Sequence, residues 1–146
     1  MTEEKVKNNN KANPVRIIFR CLLGAFLMFA GTSHLTWSRT EFLAQVPTWL
    51  PLDGDIVVIL SGIVEIVLGA SLILLHGKRF YTGWAAAVFF ILIFPGNISQ
   101  YVNGINAFGL DTDTARLVRL FFQPLLVIWA LWSTGAWKEY RKRKLS

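Results

Sequence analysis

Five polar side chains interrupt stretches that are otherwise apolar: His34, Glu65, Asn97, Arg119 and Gln123. Imidazole, carboxyl, amide and guanidinium groups can hydrogen-bond the oxygens of a small organic ligand. Glu65 is the most informative of the five. It is the only charge between Asp55 and His76, an interval of about 20 residues that matches a bilayer span of roughly 30 Å at 1.5 Å per residue. A carboxyl near the midplane costs at least ~2.5–3.5 kcal/mol on insertion scales. Such a residue is expected to face a bundle interior and to meet a polar group on another span.

Several other chemistries are excluded by residue type. The single cysteine, Cys21, leaves no CxxC pair and no intrachain disulfide. His34 and His76 fall at opposite membrane faces, so they cannot hold one haem. A di-iron bundle needs several carboxylates and Glu-x-x-His pairs, and Glu65 stands alone. Ligands for zinc are too few, and no glycine-rich phosphate loop is present. No metal site is expected.

The elements that must position these residues follow from composition. Of 146 residues, 53% are hydrophobic and 16% charged, below the quarter typical of soluble domains. The expected fold is an all-α membrane protein, a four-transmembrane-helix bundle over residues 15–137. Its spans are expected near Val15–Leu35, Asp55–Leu75, Phe80–Tyr101 and Ala115–Trp137. Residues 1–14 read as a disordered cytoplasmic N-terminus and 138–146 as a basic cytoplasmic tail. The first apolar run reads as a span, since it is too long for a signal peptide. Between the first two spans, Arg39–Pro51 is too short and mixed to cross. It predicts a short external interfacial helix ended by Pro47, with Phe42, Leu43, Val46, Trp49 and Leu50 at the interface and a position from which it can cap the bundle.

Charge orients the chain. Of the 15 Lys and Arg residues, all but Arg39, Arg116 and Arg119 fall on the side of the termini and the Gly77–Arg79 turn. The positive-inside rule makes that side cytoplasmic, in the plasma membrane. The basic character is thereby explained by topology and anionic lipid, and nucleic acid is not an expected partner. The bilayer is.

Depth counting brings the five residues to the outer half. His34 and Asn97 lie near outer span ends, Arg119 and Gln123 one and two turns into the fourth span, and Glu65 about 15 Å deep by helical rise. They occupy coherent faces: Arg116, Arg119 and Gln123 in the fourth span, Ser61, Glu65, Gly69 and His76 in the second. Small residues on these faces allow close helix approach. Pro95 and Pro124 free the carbonyls of Ile91 and Leu120, which need other partners in lipid. Each residue also has a plainer reading. Glu65 makes an inert interhelical bond, Asn97 and Gln123 act as helix glue, and Arg119 snorkels. His34 and His76 are then interfacial residues.

The ordered set Ala30–Leu35 (AGTSHL), Val46-Pro47, Leu50-Pro51, Ser61–Gly69 (SGIVEIVLG), Phe94–Ile98 (FPGNI) and Arg119–Pro124 (RLFFQP) with Trp129 resembles the DoxX family of small membrane proteins over about residues 15–137. Leu35 and Gly96 depart mildly from the family's usual Phe or Tyr and Ala. The resemblance implies a four-helix membrane bundle whose recurrent polar positions are Glu65, His34, Asn97, Arg119 and Gln123. It also implies an accessory subunit of a quinone-linked oxidoreductase, with a quinone as ligand, a membrane or peripheral redox protein as partner, and no catalysis by this chain alone. The alternative is a non-redox small-molecule or lipid-binding membrane module, in transport or assembly. A purely structural membrane protein is the third reading. A homo-oligomer is compatible with all three.

Overall fold

The computed structural model describes residues 13–146. All but the last two residues of the expected N-terminal segment 1–14 therefore lie outside the described residues. The described chain is all-α: α1 Pro14–Leu35, α2 Arg39–Gln45, α3 Gly54–Leu74, α4 Arg79–Val102, α5 Asp113–Thr134 and α6 Ala136–Leu145, with one 3₁₀ turn at His76–Lys78. Four of these helices, α1, α3, α4 and α5, are long and apolar enough to cross a membrane. The protein is a multi-pass integral membrane protein.

Local chemistry sets the span limits. Asn13 caps α1 by accepting from the Val15 N–H at 3.0 Å, with Pro14 at the first helical position. Asp53 caps α3 through Asp55 N at 2.9 Å, and Thr112 caps α5 through Ala115 N at 3.2 Å. The fourth span ends at Thr134, short of the expected Trp137, because Gly135 adopts φ 70°. That left-handed residue stops a helix and suits glycine. The basic tail then continues as α6, folded back so that Arg143 lies over the Phe80 ring at 4.3 Å.

The four spans form two antiparallel pairs. α1 packs chiefly on α3 and α4 chiefly on α5, and the pairs meet through α1–α5 and more sparsely through α3–α4. The end bearing α2 and the 103–112 loop is called the loop end, and the other the terminal end. Leu23, Leu27, Leu72, Ala86, Ala87, Phe89, Phe90 and Ala130 make the packed core, mostly in the terminal half. Toward the loop end the two pairs diverge. Ile18, Leu60, Val67, Leu92, Phe121 and Ile128 point outward, as lipid requires.

The α1–α3 contact is made by backbone. A Cβ on Gly31 would lie 2.5 Å from the Gly62 carbonyl oxygen, and one on Gly24 2.7 Å from the Gly69 oxygen. Only glycine permits this approach.

Candidate functional site

Where the pairs diverge they enclose a cavity of about 590 Å³. Leu27, Phe90 and Leu126 line it and also belong to the packed core or lie against it, so they form its floor. His34, Glu65, Asn97, Arg119 and Gln123 all line it, together with Ser61 and Gln45. Four separate spans thus bring their polar side chains to one space.

The close glycine contact places His34. A Cβ on Gly62 would sit 2.8 Å from the His34 Cβ, so glycine there lets the imidazole lie against α3. Its Nδ1 is 3.0 Å from Ser61 Oγ and its Nε2 is 3.3 Å from Glu65 Oε2. Ser61 Oγ is also 3.0 Å from the Val58 carbonyl. Ser61 has one proton for these two neighbours. If Val58 receives it, His34 Nδ1 carries a proton and Nε2 faces a protonated Glu65. If His34 Nδ1 receives it, Nε2–H faces a carboxylate. Either arrangement puts one proton between His34 and Glu65. The Glu65 side chain is buried, yet among the described residues its Oε2 makes no aligned hydrogen bond, the 3.3 Å approach being out of line. Glu65 also lines the cavity, so its carboxyl group borders that space.

On the opposite wall the amides have a forced orientation. Gln123 Nε2 donates to the Phe90 carbonyl at 2.6 Å, one residue before the Ile91 carbonyl that Pro95 deprives of its donor. A carbonyl can only accept, so the Gln123 oxygen faces Asn97, whose Nδ2 donates to it at 2.9 Å. The remaining Asn97 atom, Oδ1, is left as an acceptor without a partner among the described residues.

The loop end carries a cap. Phe42 was expected at the interface, but it stacks on the His34 ring with centroids 3.3 Å apart. Phe108 packs on Phe42 at 4.6 Å, and the Arg119 guanidinium lies 4.6 Å from the Phe108 ring. Glu41 accepts from the Phe108 N–H at 2.8 Å. Gln45 donates to Gln100 Oε1 at 2.6 Å and accepts from Arg119 at 3.4 Å. Exchanging the Gln45 oxygen and nitrogen brings its oxygen within 3.1 and 3.2 Å of the two Arg119 nitrogens, so that contact holds in either orientation. Phe108 has φ 56°, unusual for a non-glycine residue. It forms a tight turn with Gly109, closed by Leu110 N to Ala107 O at 3.0 Å. That backbone costs about 1 kcal/mol or more, and the contacts on Phe108 are what hold it. Arg116 shares a face with Arg119 but turns away from the cavity. It clamps the loop through Asn106, the Leu110 carbonyl and Asp113, each within 2.9 Å.

A family model described as a domain of unknown function (DUF8561) matches residues 23–134, which include every residue of the cavity and its cap. The chain belongs to the DUF8561 family. No curated protein and no solved structure matches it.

Some of this DUF8561 site escapes sequence reasoning. Gln45, Gln100 and Phe108 lie outside the spans or at their ends, where a polar or aromatic residue carries no cost and so no signal. One clue exists: Phe42 and Gln45 are three apart and share a face of α2. At the terminal end, His76, expected as a plain interface residue, accepts from Arg20 at 2.7 Å and does not reach the cavity.

Proposed function

We propose that this DUF8561 chain binds the headgroup of a quinone, or of its quinol, in the loop-end cavity. We further propose that it serves as an accessory subunit of a quinone-linked oxidoreductase, without catalysis by the chain alone. The observation that carries this reading is the buried Glu65 carboxyl in the cavity wall, set 3.3 Å from His34 and without an aligned hydrogen bond at Oε2 among the described residues. A ring oxygen placed there accepts from a protonated Glu65 or donates, as a hydroxyl, to its carboxylate. The Asn97 Oδ1 offers a second acceptor and Arg119 a donor at the cap. The cavity volume of about 590 Å³ lies within the range of small-molecule sites. The resemblance to DoxX supports the subunit role, with a membrane or peripheral redox protein as partner. The basic asymmetry supports a plasma-membrane location with both termini cytoplasmic and the loop end outside.

A non-redox module that binds a lipid or another small molecule is the second reading, favoured by the mainly apolar walls. The test is mass spectrometry of organic extracts from protein purified in mild detergent. Co-purified quinone is expected, and its content falls in Glu65→Gln. A different bound lipid moves the assignment to the second reading, and an empty interior refutes both. The orientation is tested by labelling of Thr112→Cys, which is expected from outside the cell only.

A further inference from the structure

The cavity walls differ sharply in polarity according to exposure. His34, Gln45, Glu65, Asn97 and Gln123 line it and are buried. Among the described residues every exposed side chain that lines it is apolar, including Phe26, Phe29, Trp37, Trp49, Leu92 and Phe122, whereas the polar Ser38, Ser61 and Arg119 are half-buried. Phe29, Leu92 and Phe122 stand on spanning helices, where an exposed apolar side chain meets acyl chains. The loop end is covered by the ladder His34, Phe42, Phe108, Arg119 and by the Gln45–Gln100 bond. The ladder is tied down from two sides, by Glu41 on the Phe108 N–H and by the Arg116 clamp on the loop.

We infer that the cavity is loaded from within the bilayer, and that its ligand is an uncharged, membrane-dissolved molecule with a polar head and an apolar body. This deepens the binding reading above and rests on it for the identity of the head, not for the route. A water-soluble ligand would have to displace four stacked groups and the hydrogen bonds that tie them. A membrane-dissolved one needs only to part side chains that already face lipid. The head then lies under the cap among Glu65, Asn97 and Gln123, and the body extends outward past Phe29, Leu92 or Phe122. A charged head would meet a portal at which every exposed lining side chain among the described residues is apolar, at the depth where ions are least tolerated.

The route is tested without any assumption about the ligand. In a Cys21→Ala background, Ser61→Cys places one thiol on the cavity wall. The full chain is reconstituted in lipid nanodiscs and labelled with a neutral lipophilic maleimide or a trimethylammonium-bearing thiosulfonate, read by intact mass. Labelling by the neutral reagent relative to the charged one is expected to be faster by on the order of 100-fold compared with the ratio for free cysteine, the penalty for carrying a charge through apolar surroundings. Phe108→Gly removes the ring while relieving the left-handed backbone, so the fold is kept. With Glu41→Ala it should open the cap and bring the charged reagent's rate close to the neutral one's. Equal rates in the intact cap overturn the inference, as does a thiol that neither reagent reaches. Slow charged labelling that persists in the opened cap shows that the cap does not close the cavity, and overturns the assigned route. Absence of quinone in extracts, with the labelling pattern as expected, fails the headgroup assignment alone.

Discussion

The two helix pairs reach the same antiparallel arrangement by different chemistry. α1 and α3 approach through glycines at both levels, Gly31 against Gly62 and Gly24 against Gly69, with backbone oxygen where side chains would be. α4 and α5 are joined at the cavity by amide hydrogen bonds, Gln123 to Asn97 and to the Phe90 carbonyl. The first seam depends chiefly on shape, with His34 on Ser61 as its polar contact at the loop end, and tolerates no added atom at the glycines. The second depends on a few directional bonds and leaves room around them. That is why the cavity's polar wall can differ on its two sides. The glycine seam presses His34 onto Ser61 and Glu65, whereas the amide seam presents Asn97 and ties α5 to the Phe90 carbonyl.

The largest effect should come from the glycine seam. Gly31→Val places a branched side chain where even a Cβ would stand 2.5 Å from a carbonyl oxygen. Separation of α1 from α3 should cost about 2–3 kcal/mol, read by unfolding in mixed micelles. A loss under about 1 kcal/mol would mean that the seam is not set by shape.

Gln123→Leu should cost less, about 1–2 kcal/mol, since it removes the bonds to the Phe90 carbonyl and to the Asn97 amide together. Asn97→Ala alone should cost less than Gln123→Leu, because the carbonyl keeps its donor. Equal losses would place the importance of the α4–α5 seam on the side-chain pair and not on the bond to the Phe90 carbonyl.

The terminal end offers a way to blur the contrast. A Cβ on Gly83 would collide with the Thr134 side chain, so this pair also has one close approach. Gly83→Ala should destabilise, and the double variant with Thr134→Gly should recover about 1 kcal/mol beyond additivity. Without that coupling, the close approach at Gly83 contributes nothing and the contrast between the seams becomes complete.

The smallest stability effect is expected at Glu65→Gln. Polar bonds between membrane helices average about 0.6 kcal/mol, and Glu65 Oε2 has no aligned bond to lose among the described residues. Thermal stability in detergent should stay near that of the unmodified protein while bound ligand falls. A large stability loss with unchanged ligand would make Glu65 a structural residue.

Sequence alone determined the four spanning helices and most of their limits, because lipid imposes a strong demand on residue type over a fixed length. Val15–Leu35 and Asp55–Leu75 fall within one residue of α1 and α3. The same demand made Glu65, Asn97 and Gln123 legible, since polar atoms in an apolar run are costly and must turn inward. The fourth span was read too long because Trp137 is as apolar as its predecessors, and only the backbone at Gly135 reveals the stop. Tertiary structure decided who meets whom. Helical periodicity places His34 and Glu65 on faces but does not say that those faces oppose each other. That required the register at which Gly31 meets Gly62. The cap was still less legible. Phe42, Gln45 and Phe108 lie where water is near and residue type is weakly constrained, so their roles exist only in the contacts that folding creates between α2, the 103–112 loop and α5.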